Sequence, residues 1–186
     1  MHPPAADLSV RVAWADDATE IAAVQVRAWQ LAYATELPAE VLERLPTDQF
    51  ADQWRASIGR PADARQRVLV ALERATVRGF AAIAPATDTD ADPGRDGELA
   101  ELVVDPAHRR AGHGSRLLHA AADTMRSDRF HRATIWVNVS HDGLRGFLSE
   151  QGWAPDGAHR QLDLHGDGSV VVKQVRLHTD LDQTGS

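Results

Sequence analysis

The residues best suited to chemistry lie between Glu98 and Leu118, in the run Glu-Leu-Ala-Glu-Leu-Val-Val-Asp-Pro-Ala-His-Arg-Arg-Ala-Gly-His-Gly-Ser-Arg-Leu-Leu. A strand-like segment leads into a loop marked by Pro106. Two arginines, a Gly-x-Gly and the start of an amphipathic helix then follow. That succession builds a cradle for a diphosphate. Glycines let the backbone come close to a ligand, and the first turn of a helix aims free N–H groups and a positive dipole end at an anion. Arg109 and Arg110 add charge where a phosphate would sit. The binding set is therefore Arg109, Arg110, Ala111, Gly112, His113, Gly114 and Ser115. Upstream, Glu98 and Glu101 are candidate proton acceptors. A regular strand places them on opposite faces, and a bulge between them would rotate either one inward.

Three kinds of anion site could own this stretch. A phosphate loop of the Walker type needs Gly-Lys-Ser/Thr, and the chain's single lysine is Lys173. A dinucleotide fingerprint needs a third glycine, where Leu117 stands, with an acidic residue about 20 positions on. The third kind fits. Arg109-x-x-Gly112-x-Gly114 resembles the pyrophosphate signature of the GNAT superfamily of N-acetyltransferases. That family commonly reads Glu-Leu-x-x-Leu-x-Val-x-Pro before the signature, and Glu98, Leu99, Leu102, Val104 and Pro106 occupy those places. Downstream, a strand over 133–139 and Phe147-Leu148-Ser149-Glu150-Gln151-Gly152-Trp153 are similar to the family's closing helix. The likeness covers residues 8–178 in organisation and 98–153 in motif detail.

The resemblance implies an enzyme moving an acetyl group from acetyl-CoA to a primary amine by direct attack in a ternary complex. It implies that pantetheine runs beside the backbones of Leu102, Val103 and Val104 as an added strand. One of those amides then polarises the thioester carbonyl. Glu98 is the family-matched base, with Glu101 the alternative. The family's tyrosine, which would protonate the departing thiolate, is replaced by Leu148, and the asparagine often found near the start of the same helix by His141. Three readings follow: a thiolate that leaves unaided, its pKa near 8.5; a proton given through water by His141 or Ser149; or a CoA-binding sensor or interaction module with little turnover. A nucleotide-binding protein is the remaining alternative. Trp29 and Tyr33, four apart on one helical stripe, are expected to line the acceptor space or to pack in the core. The acceptor's identity is left open.

Composition narrows the setting. At 186 residues, with 43% hydrophobic and 25% charged residues, the chain suits one globular α/β domain over 8–178. Residues 1–7 and 179–186 are expected to be flexible ends. No apolar run approaches the ~20 residues of a membrane helix, and the first residues lack the build of a signal peptide. Without cysteine there is neither a disulfide framework nor a thiol nucleophile. A cytoplasmic location is expected. The net charge of −7 argues against nucleic acid as a partner, so the arginines of the cradle are a local exception. Asp88, Asp90, Asp92 and Asp96 read as a solvated, mobile loop or as a field attracting a cationic amine. The histidines match no zinc spacing.

Residues 8–14 alternate like a half-buried strand. Asp16 or Asp17 is expected to cap a helix burying Ile21, Val24, Ala28 and Leu31. Shorter helices follow Pro38 and Thr47. Strands are expected at 68–72 and 77–84, then from Glu98. A helix to Arg126 turns Leu117, Leu118, Ala121, Ala122 and Met125 inward. A strand at 135–139, a helix at 141–151 and a hairpin of 159–165 with 169–178 complete the chain. Two copies could pair across that hairpin as a homodimer. The resemblance implies a mixed sheet of about seven strands, splayed at the fourth and flanked by about four helices.

Overall fold

The structure, a computed structural model, describes residues 7–182. Its strands are β1 (Leu8–Val12), β2 (Arg67–Glu73), β3 (Thr76–Pro85), β4 (Asp96–Val104), β5 (Arg132–Asn138), β6 (Ala154–Asp163) and β7 (Val171–Asp180). Its helices are α1 (Ala18–Ala32), α2 (Ala39–Glu43), α3 (Thr47–Gly59), α4 (His113–Ser127) and α5 (Asp142–Glu150). The strands form one sheet in the order β1-β2-β3-β4-β5-β7-β6. Every pairing is antiparallel except β4 with β5.

The sheet is covered on both faces, which explains the continuous apolar run Val68 to Leu72 in β2. Leu69 and Ala71 point to one side, where Ile83 and Leu99 meet Leu117, Ala121 and Met125 of α4 and Leu148 of α5. Val68, Val70 and Leu72 point to the other, against Ile21 and Val24 of α1 and Trp54 of α3. Two layers of helix thus hold β4 between them.

Several expectations need correction. Helices number five among the described residues, and the short one expected after Pro38 is α2. Asp17 sits at the start of α1 but does not cap it with its side chain. Its carboxylate turns back to accept from both Arg11 terminal nitrogens (2.7 and 3.1 Å) and from the Trp14 amide at 2.7 Å. Leu31 is 55% exposed. Seven residues on from buried Val24, it keeps to the same stripe, but it stands in the last turn of α1, beyond Ala28, the last buried residue of that helix.

The loop between β3 and β4 is tied down rather than free. Asp88 and Asp90 both pair with Arg176 of β7, whose side chain is only 6% exposed. The chain also stays ordered past His178. β7 continues to Asp180, and Leu181 is 2% exposed. The Leu181 amide donates to the His131 carbonyl at 2.8 Å, while its own carbonyl accepts from Arg126 Nε at 2.8 Å. The flexible ends expected over 1–6 and 183–186 lie outside the described residues.

Leu181 therefore closes the bottom of the α4 core. Leu181→Ala should cost about 2–5 kcal/mol through lost burial and the cavity left behind. Urea unfolding is the check, and a midpoint equal to wild type would contradict the placement.

Candidate functional site

β4 and β5 pair only at Asp96–Arg132, Gly97–Ala133 and Glu98–Thr134. Beyond that point they part, while β4 stays paired with β3 as far as Val104 opposite Gly79. The backbones of Leu102, Val103 and Val104 thus face a gap on one side. Such edges take water or an added strand, because buried amide and carbonyl groups must find partners.

A bulge interrupts β4 within the same stretch. Leu99 faces Ile83 and Glu101 faces Ala82, so Ala100 is the extra residue. Without it, Glu98 and Glu101 would point to opposite faces. With it, both fall on the face away from Leu99, toward α1. Burial, and next the charge of Glu98, pushes the Glu101 carboxyl up to about 7. Glu98 is also raised, by burial first and by Asp88 second, with Arg160 opposing. Two carboxylates crowded in a poorly solvated corner resist losing both protons. At neutral pH one of them is a serviceable base.

The cradle begins at Asp105, which is buried. Its carboxylate caps the short turn Pro106–His108 by accepting from the Ala107 amide (3.1 Å). It also accepts from Arg27 Nη2 of α1 at 2.7 Å. Burial works against the charge, but Arg27 and the Ala107 amide hold this carboxyl below its usual range. The chain then passes Arg110 at φ 63° and Gly112 at φ 85° before α4 starts at His113. At Gly112 an added Cβ would lie 2.7 Å from Arg116 Nη1. Arg109 and Arg110 are exposed, and the first-turn amides of His113, Gly114 and Ser115 have no carbonyl within the helix to bond.

Gly114 faces Val104 and Phe147, each 3.6 Å from where a Cβ would sit. The His113 ring is buried, and neither ring nitrogen has a partner. Burial foremost, and then Arg116, His108 and Arg78, depress its pKa. This residue can offer an anion its amide, not its imidazole.

Across the gap, Tyr33 ends α1 and its hydroxyl accepts from Asn138 Nδ2 of β5 at 3.4 Å. Trp29 lies behind it, edge-on to Tyr33 at 5.9 Å and to Phe50 of α3 at 5.3 Å, which is helix packing. His141 immediately precedes α5, and its pKa is lowered by burial and then by Arg109. A cavity of about 210 Å³ is lined by Leu31, Ala32, Arg109, Asn138, Ser140 and His141. A larger depression of about 360 Å³ at Glu40–Pro46 holds none of these groups. Leu148, where the family resemblance expects a tyrosine, is fully buried in the core.

The structure therefore brings Glu98 and Glu101 together on β4, sets Tyr33 between Glu101 and Asn138 of β5, and puts Arg109 and His141 at the cavity that Asn138 also lines. Sequence reading missed Asn138, Arg160, Gln174 and Trp136. A signal existed in β5, where polar residues recur at Arg132, Thr134, Trp136 and Asn138 with the period of a strand facing something other than core. Among the described residues, no three His, Cys, Asp or Glu side chains cluster as a metal site. No helix of the described residues is long and apolar enough to cross a membrane.

Comparison with known proteins agrees with this geometry. The sequence profile described as the Acetyltransferase (GNAT) family matches residues 23–153. The chain is 30% identical over 172 residues to the uncharacterized N-acetyltransferase YuaI of Bacillus subtilis, covering 91% of each. Its fold superposes on yncA of Salmonella typhimurium, solved with its cofactor acetyl-CoA, at TM-score 0.66, 17% identity and 96% coverage of both chains. The PaiA N-acetyltransferase of Thermoplasma acidophilum, in complex with coenzyme A, superposes at TM-score 0.70 and 16% identity, over 94% of this chain and 99% of the other. The chain belongs to the GNAT family of N-acetyltransferases.

Proposed function

We propose that this protein transfers an acetyl group from acetyl-CoA to a primary amine by direct attack in a ternary complex. The single observation that carries the reading is the parting of β4 from β5 with the Ala100 bulge beside it. Those two features make a slot and place two basic carboxylates along it. In this reading the amides from Ala111 to Ser115, with Arg109 and Arg110, hold the pyrophosphate. Pantetheine lies along Leu102, Val103 and Val104, and one of their amides polarises the thioester carbonyl. Trp29 backs Tyr33 at the acceptor wall, and His141 lines the thiol end beside Arg109. The partners are acetyl-CoA and an amine, in a cytoplasmic setting, with the β6–β7 hairpin the surface for a homodimer.

Glu101 is the general base, because a base works best with a pKa near the working pH. Glu98 keeps that pKa high by its charge. Turnover is read as thiol release from acetyl-CoA over a panel of primary amines. A binding module would hold CoA and release none.

Glu101→Gln should lower kcat/KM about 10²–10⁴-fold, while Glu98→Gln should move the acid limb of the pH profile to lower pH. Wild-type kcat/KM should rise with pH through about 7, as Glu101 ionises. Full activity in Glu101→Gln removes this assignment. Stability supplies an independent sign. A carboxyl whose folded pKa is raised favours folding while protonated, and that contribution is lost as pH rises through about 7. Glu101→Gln should therefore unfold at higher urea than wild type at pH 8, and at an equal midpoint at pH 4.

For the cradle, Arg109→Ala and Gly112→Asp should each weaken CoA binding by about 1.5–3 kcal/mol, the worth of a charge-assisted contact. Calorimetry with CoA decides it. Unchanged affinity in both would move the pyrophosphate elsewhere.

A further inference from the structure

A line of side-chain hydrogen bonds crosses the sheet into the gap, and its direction is fixed by chemistry. It starts at Arg160 of β6, whose Nε donates to Gln174 Oε1 at 2.8 Å. An arginine nitrogen cannot accept, so Gln174 must face it with oxygen and present its amino group to the other side. That group donates to Asn138 Oδ1 at 2.8 Å. Asn138 is thereby oriented in turn, and its Nδ2 donates to the Tyr33 hydroxyl at 3.4 Å. Every amide in the row is set by the one before it. The phenol oxygen receives a hydrogen at the end, which leaves the Tyr33 O–H free to donate outward.

We propose that Tyr33, held as an outward donor by the Arg160–Gln174–Asn138 row, is the general acid that protonates the departing thiolate. The assignment rests on the acetyl-transfer reading above. Its geometric support is that the phenol lies between Asn138 on β5 and Glu101 on β4, the two strands that flank the slot. Burial first, with Glu101 and Glu36 adding to it and Asn138 opposing, holds the phenol above its ordinary pKa, so it carries its proton at neutral pH. Glu101 faces it from β4 and Glu36 from the turn after α1. Asn138 meets it from β5, and Arg109 and His141 line the cavity that Asn138 also lines.

The step balances. The acceptor ammonium first gives a proton to Glu101, and the amine nitrogen then forms its bond to the carbonyl carbon. As the C–S bond breaks, the Tyr33 proton goes to sulfur and a thiol departs. The second nitrogen proton and the one held by Glu101 are lost to solvent, and solvent reprotonates the phenolate. Asn138 stabilises that phenolate meanwhile, since its donated hydrogen bond strengthens as charge develops on oxygen. Asn138, Gln174 and Arg160 are positioning residues in this scheme.

The test compares thiol release and CoA affinity in wild type, Tyr33→Phe, Gln174→Glu and the double variant. Tyr33→Phe should lower kcat about 100-fold or more, with CoA affinity and acceptor KM within twofold of wild type. The fall of kcat at alkaline pH, where the phenol ionises, should vanish in that variant. Gln174→Glu keeps the pairing with Arg160 but turns an acceptor toward Asn138. The asparagine must then flip and present oxygen to Tyr33, which redirects the O–H away from the slot. Its kcat should fall about tenfold, yet cost nothing further in the Tyr33→Phe background. A Tyr33→Phe enzyme as fast as wild type, a change confined to acceptor KM, or additive losses in the double variant would overturn the proposal. A wild type that binds CoA and transfers nothing would overturn the acetyl-transfer reading with it.

Discussion

Three residue pairs decide what this molecule can do. β4 and β5 run parallel over Asp96–Glu98 and Arg132–Thr134 and then separate. Had the pairing continued, the amides of Leu102 to Val104 would be spent on a ladder and the sheet would offer no slot. Parting is tolerated because each strand is held from its other side, β4 by β3 through Val104 and β5 by β7 along its whole length. Both helical layers press on the same region. The opening is therefore a fixed feature of the core, with none of the adaptability of a loop.

Electrostatics follows from that opening. The protein is acidic overall, yet the cradle end of the slot carries arginines and the opposite end carries Glu98 and Glu101. Under the proposed reaction, an anionic cofactor and a cationic acceptor would be drawn to different ends of the slot. The Ala100 bulge sharpens the second pole by putting both carboxylates on one face. Their mutual repulsion and burial cost stability, and that cost raises the basicity of Glu101. At the first pole, Arg27 and Asp105 tie α1 to the loop ahead of the cradle. The helix that ends in Tyr33 is thereby registered against the loop that precedes the arginines.

Much of this was legible in the chain itself. The cradle could be read because glycine at φ 85°, an arginine pair and a helix start each leave a local mark. The strands could be read because alternation is local too. The bulge could not, since an alanine at position 100 looks the same in a regular strand. Which of Glu98 and Glu101 faces the slot was for that reason undecidable. The fate of Asp88 and Asp90 was hidden for another reason. Their partner Arg176 lies 88 and 86 residues away, and no periodicity announces a pairing that distant. Leu31 failed because burial along α1 stops at Ala28, and periodicity does not show where a packed neighbour ends. The row from Arg160 to Tyr33 joins three strands and a helix end, which only folding brings together.

Arg176 has one more consequence. Its guanidinium is gripped by Asp88 and Asp90 from the loop before β4 and by Asp156 from β6. Asp88 also accepts from the Trp136 indole, so the β3–β4 loop and β6 share one buried cation. Neither segment can be exchanged in isolation. A chimera that imported a relative's β3–β4 loop alone would leave a guanidinium in the interior short of its counter-ions, a severe burden for a domain of this size. Loop and hairpin thus form one cassette around Arg176, to be transplanted together or not at all.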